Sequence, residues 1–190
     1  VVDNFLATLE ALKKAESGET SFDDSRYIYQ QPVNKHDHYL IPAGTIHSIG
    51  AGVLVYETMQ SSDVTYRVFD YDRAQDSGDK RELNQVKAKE VIEIANESIN
   101  IPTDTEIIEN HKRTQLVSND FFTIVKWNIS GTLNYMKPRE FCLISVLEGN
   151  GKIIIDGEIF EIEKGTNFVL TSEDLDSVFE GDFTLIISYI

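Results

Sequence analysis

The 190-residue chain lacks most features of secreted, membrane-spanning and nucleic-acid-binding proteins. Its single cysteine, Cys142, cannot form an internal disulfide or a cysteine-rich zinc site. No apolar run approaches the roughly 20 residues that a membrane-spanning helix needs. Basic residues are scarce, since 17 lysines and arginines face 32 aspartates and glutamates, and the net charge of −15 repels nucleic acid and anionic membranes. These absences predict a cytoplasmic protein with no nucleic-acid or membrane partner.

Several catalytic motifs are also missing. The sequence has no Gly-rich phosphate loop, no Gly-x-Ser-x-Gly elbow and no Cys-x-x-Cys pair, which argues against P-loop enzymes, serine hydrolases and dithiol redox enzymes. Hydrophobic residues make up 41% of the chain, enough for a sizeable folded core. His111 lies in the charged segment Glu-Asn-His-Lys-Arg, which predicts an exposed and inert side chain.

Two segments have helical patterns. Apolar residues at helical spacing predict an amphipathic helix over about the first 15 residues, and they are Phe5, Leu6, Leu9 and Leu12. A second helix is predicted over residues 87–95, with Asn84 as a candidate N-cap.

Most of the remaining chain has the pattern of β-strands. Residues 39–41, 53–56 and 64–69 are rich in β-branched and aromatic residues, which predicts strands. Beyond Pro102, strand and turn patterns alternate every eight to twelve residues or so, which is typical of a sandwich or barrel. Asp156-Gly157 between apolar runs predicts a tight hairpin. We therefore divide the chain into residues 1–100 and 101–190.

Three of the four histidines lie in the segment His36-Asp-His38-Tyr-Leu-Ile-Pro-Ala-Gly44-Thr-Ile-His47. A histidine that enters a strand after a Pro-x-Gly turn can point into a barrel and bind a divalent metal. It can equally be a core or rim residue that forms only hydrogen bonds. His36 and His38 are two residues apart and share a strand face, so they are additional candidate ligands.

The same segment carries a family resemblance. Pro-Ala-Gly-Thr-Ile-His47, Gln-Ser-Ser-Asp-x-Thr-Tyr-Arg67 and Gly78-Asp-Lys-Arg-Glu-Leu together resemble the compact bacterial mannose-6-phosphate isomerases. The resemblance covers only the carboxy-terminal portion of that family. It implies a mainly β fold of the cupin (RmlC-like jelly-roll) type, with one complete carboxy-terminal cupin over residues 101–190. Residues 1–100 would be an incomplete first cupin with one or two helices.

The resemblance also implies site residues and a cofactor. The family consists of zinc-dependent aldose–ketose isomerases, so His47 is implied as a metal ligand and Arg67 as the active-site arginine. Arg67 could instead be a surface arginine paired with Asp70 or Asp63. His36 replaces the glycine of a family turn, a position where glycine gives easy access to positive φ. His47 is the single family ligand present, so we expect zinc to be weak or absent in this chain.

The last 50 residues resemble a second cupin that lacks metal ligands. The segment Tyr135-Met-Lys137-Pro-Arg139 stands where metal-binding cupins have a His-x-His pair. Lys137 and Arg139 are candidate substrate-binding residues that could reach a phosphate, although a solvated strand end is the commoner explanation for such residues. This cupin is therefore interpreted as structural.

Three functions follow from these observations. The first is mannose-6-phosphate isomerase, with mannose 6-phosphate and fructose 6-phosphate as substrates, present as a carboxy-terminal fragment that is inactive alone. The second is a truncated, non-catalytic cupin that binds a sugar or sugar phosphate. The third is a small metal-binding cupin that uses His36, His38 and His47. Open sheet edges in an incomplete barrel predict a homo-oligomer.

Overall fold

The computed structural model describes residues 5–17, 22–23, 26–62, 64–71, 73–93, 102–173 and 176–190. The chain divides into two compact units, Val1–Asn100 and Ile101–Ile190. Within the described ranges, the first unit contains two helices and the second contains seven strands. Neither of these helices is long and apolar enough to cross a membrane.

The first helix, α1 (Phe5–Glu16), agrees with the predicted amphipathic helix. Leu9 and Leu12 are 6% and 2% exposed, so these two residues of the apolar stripe are buried. Both leucines belong to a small core whose half-buried members are Phe22, Ile46, Val68, Phe69 and Ile92. The 3.6-residue period of the sequence therefore identified the buried face of α1 correctly.

The second helix, α2 (Gln85–Val91), begins and ends earlier than predicted. Ile92 has extended backbone angles, φ −73° and ψ 130°, which ends the helix. Residues 94–96, the predicted end of this helix and its closing asparagine, lie outside the described residues. Asn84 occupies the N-cap position as expected, but its side chain makes no capping hydrogen bond.

The strands predicted in the first unit are not formed. Residues 39–41, 53–56 and 64–69 belong to no strand, and the pairings at described residues of this unit are isolated bridges, one at Leu40 and one between Ala74 and Lys80. Strand propensity indicates that the side chains of a segment suit a sheet. A strand also needs a partner strand that hydrogen bonds with its N–H and C=O groups. No such ladder exists among the described residues of this unit.

The second unit is an antiparallel sheet, which confirms the mainly β fold. Its strands are β1 (Asp104–Ile108), β2 (His111–Ser118), β3 (Thr123–Met136), β4 (Cys142–Ile155), β5 (Glu158–Glu163), β6 (Asn167–Leu170) and β7 (Asp176–Tyr189). The strand order is β1-β2-β3-β7-β4-β5, and β6 also pairs with β4. The predicted hairpin joins β4 to β5, and Asp156 and Gly157 both have positive φ, as a two-residue hairpin turn requires.

The core of the second unit follows the two-residue period of its strands. Val125, Trp127 and Ile129 of β3 are buried, while the residues between them are half-exposed. The long strands β4 and β7 come very close where Gly151 pairs with Gly181. A Cβ atom on Gly151 would lie 2.3 Å from the Glu180 carbonyl oxygen, so this approach requires glycine.

His111 is buried, so its predicted exposure is wrong. Its side chain is 2% exposed and uses both ring nitrogens. Nδ1 accepts a hydrogen bond from the Ser130 N–H at 3.3 Å, and Nε2 lies 3.1 Å from the Thr132 carbonyl oxygen. Because a backbone N–H can only donate, the ring proton must be on Nε2. His111 therefore joins the start of β2 to the middle of β3.

Candidate functional site

A tight turn that ends two residues before His47 sets the path of the chain into this histidine. Thr45 donates its N–H to the Pro42 carbonyl at 3.2 Å. Gly44, the third residue of the turn, has φ of 83°, as a type II turn requires at this position. A Cβ atom on Gly44 would lie 2.7 Å from the Val91 carbonyl oxygen, so a side chain does not fit there.

A hydrogen bond to the backbone orients the ring of His47. Its Nδ1 lies 2.9 Å from the Thr45 carbonyl oxygen. Because a carbonyl oxygen only accepts, Nδ1 is the donor, and in the neutral ring Nε2 then holds the lone pair. The side chain is exposed. Metal-binding histidines commonly donate one ring N–H to a carbonyl in this way, which fixes the tautomer and the ring orientation. This orientation suits one zinc ligand, a role that stays a prediction for His47.

His36 and His38 do not join His47 in a metal site. Both are half-buried, and His36 has φ of 73°, so it adopts the left-handed conformation that glycine reaches most easily. Across the described residues, no three histidine, cysteine, aspartate or glutamate side chains lie close enough to hold a metal ion. The structure therefore does not support the three-histidine site.

One buried carboxylate, that of Asp70, gathers three arginines. Arg81 donates from Nε to Oδ2 at 2.6 Å and from Nη2 to Oδ1. Arg73 donates from Nη2 to Oδ1 at 3.0 Å, and Arg67 Nε lies 3.9 Å from that same oxygen. We call Arg67, Arg73 and Arg81 the arginine cluster. The hydrogen bond from Arg81 is the main reason that the pKa of Asp70 is lowered.

A short loop brings two members of the arginine cluster together. Arg73 and Arg81 flank the bridge that pairs Ala74 with Lys80. Inside the loop, Gln75 donates its N–H to the Asp79 carbonyl at 2.8 Å. Because paired residues lie side by side, the residues just outside the bridge are also neighbours. Both guanidinium groups therefore reach the carboxylate of Asp70.

Arg67 is held at its backbone by Asn84. The Arg67 N–H donates to Asn84 Oδ1 at 3.1 Å, and the Asn84 N–H donates to the Arg67 carbonyl at 2.7 Å. The Arg67 side chain is 28% exposed, and its Nη1 donates to the Glu82 carbonyl at 3.5 Å. The expected pairing with Asp70 is present, but at 3.9 Å it is longer than a hydrogen bond. Asp63, the other expected partner, lies outside the described residues.

Lys137 and Arg139 contact main-chain oxygens of the second unit. Lys137 Nζ donates to the Thr171 carbonyl. Arg139 Nε donates to the Ile190 carbonyl at 3.1 Å, and its Nη1 donates to the Pro138 carbonyl at 3.3 Å. These bonds attach the segment after β3 to the ends of β6 and β7. A role in substrate binding stays a prediction for both residues.

The interior of the second unit is filled by apolar side chains. Tyr135, in the segment where metal-binding cupins have histidines, is 8% exposed, and its ring packs edge-on against Trp127 and Phe179. Cys142 is fully buried and hydrogen bonds with Tyr135. Burial raises the pKa of the Cys142 thiol, which favours the unreactive neutral form. The structural interpretation of this cupin agrees with its packed interior.

Comparison with known proteins gives a consistent result. The family described as "Mannose-6-phosphate isomerase, cupin domain" matches residues 112–190. A mannose-6-phosphate isomerase of Streptococcus mutans is 37% identical over 158 residues, which cover 83% of this chain and 50% of that protein. A probable mannose-6-phosphate isomerase of Bacillus subtilis is 35% identical over 191 residues, which cover 100% of this chain and 59% of that protein.

A solved structure agrees with these relatives. The crystal structure of the mannose 6-phosphate isomerase from Bacillus subtilis superposes with a TM-score of 0.64 and 32% identity, over 68% of this chain and 41% of that one. This chain resembles the carboxy-terminal portion of the mannose-6-phosphate isomerases. It spans about half the length of the curated relatives that it matches.

Sequence reasoning missed two members of the arginine cluster, Arg73 and Arg81, and the role of Asn84, which holds the third. Arg81 lies in a motif that carried the resemblance, but neither Arg81 nor Arg73 received a role. The three-residue spacing from Asp70 to Arg73 was a usable signal, because opposite charges at this spacing often pair across a turn. Nothing local indicated Asn84, since its partner Arg67 is 17 residues away.

Proposed function

We propose that this chain is the carboxy-terminal part of a zinc-dependent mannose-6-phosphate isomerase, which interconverts mannose 6-phosphate and fructose 6-phosphate. The names and the 35% to 37% identity of the relatives support this proposal. The observation that carries it is that hydrogen bonds hold both His47 and Arg67 in place within the first unit. His47 has Nδ1 fixed on the Thr45 carbonyl, and Arg67 has its backbone fixed on Asn84.

The reaction explains why these two residue types are needed. Converting an aldose to a ketose moves a proton between adjacent carbons, and the enediolate that forms between them carries negative charge. Zinc, when bound, would polarise the sugar oxygens as a Lewis acid. Arg67 would supply a fixed positive charge whose guanidinium does not titrate and whose paired donors can hold an oxyanion. Its partly exposed side chain leaves it accessible to a substrate.

The number of zinc ligands in this chain determines whether the chain can bind zinc and act as an isomerase by itself. A catalytic zinc typically has three protein ligands, and His47 is one. We propose that the other ligands lie in the part of the relatives that this chain does not cover. The chain alone should then bind zinc no better than a surface histidine does, and it should have no appreciable isomerase activity.

The direct test compares the 190-residue chain with a protein that joins it to the amino-terminal part of a full-length relative. The longer protein should isomerise mannose 6-phosphate and contain one zinc per chain after dialysis, while the chain alone should do neither. His47→Ala should remove zinc and activity from the longer protein. His38→Ala is the matched control and should retain both.

Two results would contradict this proposal. One is an inactive long protein that is folded and contains zinc. The other is stoichiometric zinc on the chain alone that His36→Ala or His38→Ala releases, which would favour the three-histidine site.

A second candidate function is a non-catalytic module that binds a sugar phosphate. The arginine cluster favours it, because all three arginines and Asp70 belong to this chain. Binding of mannose 6-phosphate by the chain alone, together with an inactive long protein, would support this second function.

A further inference from the structure

Two lysines lie close together on the outer face of the β2–β3 strand pair. Lys112 of β2 pairs with Asn128 of β3, and two residues further along β2, Thr114 pairs with Lys126. Cross-strand partners share a face of a sheet, and so do residues two apart in one strand, so Lys112 is the diagonal neighbour of Lys126. Such neighbours have backbones about 7–8 Å apart, which two long side chains can span. The residues on either side of Lys126 belong to the core, so both lysines lie on the face turned away from it.

The other neighbours of Lys126 on this face are uncharged. They lie on β2, β3 and β7, and they are Thr114, Ile124, Asn128, Thr184, Ile186 and Ser188. Along these three described strands, no neighbouring position on this face carries a carboxylate that could pair with the Lys126 amino group. The charge that the register brings to Lys126 is the like charge of Lys112.

The Lys126 amino group is a better nucleophile than that of an ordinary lysine. Lys126 is half-buried, and Thr114 and Ile186, directly opposite it on the flanking strands, are buried. Burial lowers the pKa of Lys126, and the positive charge of Lys112 lowers it further. A larger fraction of the amine is therefore neutral at a given pH, and the neutral amine is the form that attacks an electrophile.

Lys152 of β4 has the opposite surroundings in the same sheet. Its Nζ lies 2.8 Å from Glu180 Oε2, and it pairs with Glu161 of β5. The hydrogen bond with Glu180 raises the pKa of Lys152, so its amine stays protonated and is a weak nucleophile. Both lysines are half-buried, so access to solvent does not separate them. Lys152 is therefore an internal reference for the reactivity of Lys126.

We propose that Lys126 is a site of acylation by an acyl phosphate, with Lys112 binding the phosphate of the donor. The neutral Lys126 Nζ attacks the acyl carbonyl carbon and forms a C–N bond, while the C–O bond to the phosphate breaks and the phosphate leaves with the electron pair. The amine proton passes to water, so the products are an amide and inorganic phosphate, and nothing is oxidised or reduced. The amide is uncharged, so the modification removes one positive charge from a chain of net charge −15.

The pairing of a nucleophile with a cation identifies the class of the donor. An acyl phosphate carries its anionic phosphate directly next to the reactive carbonyl, so one molecule can contact both amino groups. Lys112 is exposed, and an ammonium group binds phosphate as a point charge. In an acidic chain such as this one, an anionic donor needs a local positive charge to approach.

The test treats the folded 190-residue chain with acetyl phosphate and follows the acetylated fraction of each lysine over time by peptide mass spectrometry. We expect Lys126 to react about threefold or more faster than Lys152. Lys112→Gln should slow the reaction of Lys126 about threefold or more, while Lys112→Arg keeps the charge and should retain the rate. Glu180→Gln is the reciprocal variant, because it removes the carboxylate from Lys152 and should speed the reaction of Lys152 without changing that of Lys126.

Two further conditions separate the roles of charge and fold. With a neutral donor, the N-hydroxysuccinimide ester of acetic acid, Lys112→Gln should slow Lys126 less than it does with acetyl phosphate, because this ester has no phosphate for Lys112 to bind. In urea, where strand pairing is lost, the rates of Lys126 and Lys152 should become equal.

Circular dichroism checks that each variant is folded. Equal rates for Lys126 and Lys152 in the folded chain, or an unchanged Lys126 rate in folded Lys112→Gln, would overturn the proposal. A rate difference that persists in urea would do the same, because it would not depend on the sheet. An equal fall with both donors in Lys112→Gln would overturn the assignment of the donor as an acyl phosphate.

Discussion

Asn84 exchanges two hydrogen bonds with Arg67, one through its side chain and one through its backbone. Its Oδ1 accepts the Arg67 N–H at 3.1 Å, and its own N–H donates to the Arg67 carbonyl at 2.7 Å. Asn84 stands at the N-cap of α2, yet its side chain does not cap the helix. The oxygen that would normally satisfy the first turn of a helix instead fixes the backbone of the proposed catalytic arginine.

Replacing Asn84 with alanine should destabilise the first unit. The substitution removes the acceptor for the Arg67 N–H, and we expect a loss of about 1 kcal/mol in the free energy of unfolding. Asn84→Asp keeps an oxygen in the position of Oδ1, so its free energy of unfolding should fall less than that of Asn84→Ala. Urea unfolding monitored by circular dichroism measures both variants. Equal losses for alanine and aspartate would show that Oδ1 contributes nothing.

Gly44 and Gly78 form a matched pair for testing the turn before His47. Both have positive φ, 83° and 88°, but a Cβ would lie 2.7 Å from the Val91 carbonyl oxygen at Gly44 and would meet nothing within 4 Å at Gly78. Gly78→Ala should therefore lower the free energy of unfolding only by the left-handed strain, about 1 kcal/mol. Gly44→Ala should lower the free energy of unfolding by at least about 1 kcal/mol more than Gly78→Ala does, because the backbone must move. Equal losses in thermal or urea unfolding would mean that the close approach at Gly44 does not matter.

The lowered pKa of Asp70 predicts a loss of stability in acid. A carboxyl whose pKa is lower in the folded state contributes stability at pH values above its unfolded value, 3.8, and this contribution disappears as pH falls through the folded value. The free energy of unfolding should therefore fall below about pH 4. Arg81→Gln removes the main cause of the shift and should flatten this part of the pH profile. If stability fell with pH in the same way in wild type and Arg81→Gln, Arg81 would not be the main cause of the lowered Asp70 pKa.

Exposed apolar side chains in the first unit predict self-association. Leu54 is 96% exposed, and Met59 and Val64 are 62% and 60% exposed, although these residue types are usually buried. Light scattering should detect dimers or larger species at micromolar concentration. Leu54→Ser should weaken the association, while Ile159→Ser, at a 58% exposed position in the second unit, should not. A strictly monomeric, folded chain would contradict the prediction.

Local sequence signals predicted the elements that depend on neighbouring residues. The 3.6-residue period located α1, and Asp156-Gly157 located the β4–β5 hairpin, because both are determined within a few residues. The strands predicted at 39–41, 53–56 and 64–69 failed for the opposite reason. A strand exists only when another segment pairs with it, and that partner cannot be read from the segment itself.

In the candidate site, too, sequence patterns predicted the features that neighbouring residues determine and missed those that depend on distant residues. The Pro-Ala-Gly turn before His47 is local, and it formed as expected. The burial of His111 depends on Ser130 and Thr132, which are 19 and 21 residues away, so its charged neighbours gave the wrong answer. The arginine cluster depends on a loop that brings Arg81 to Asp70, 11 residues away, and no short motif encodes that contact.

Arg67→Lys in the longer, active protein tests most directly whether Arg67 stabilises the charge of the enediolate. Lysine keeps the charge but loses the paired donors, so kcat should fall by about one to three orders of magnitude while KM stays nearly constant. A raised KM at constant kcat would make Arg67 a phosphate anchor. Unchanged kcat and KM in a folded variant would contradict the account and leave Arg67 as a structural partner of Asp70.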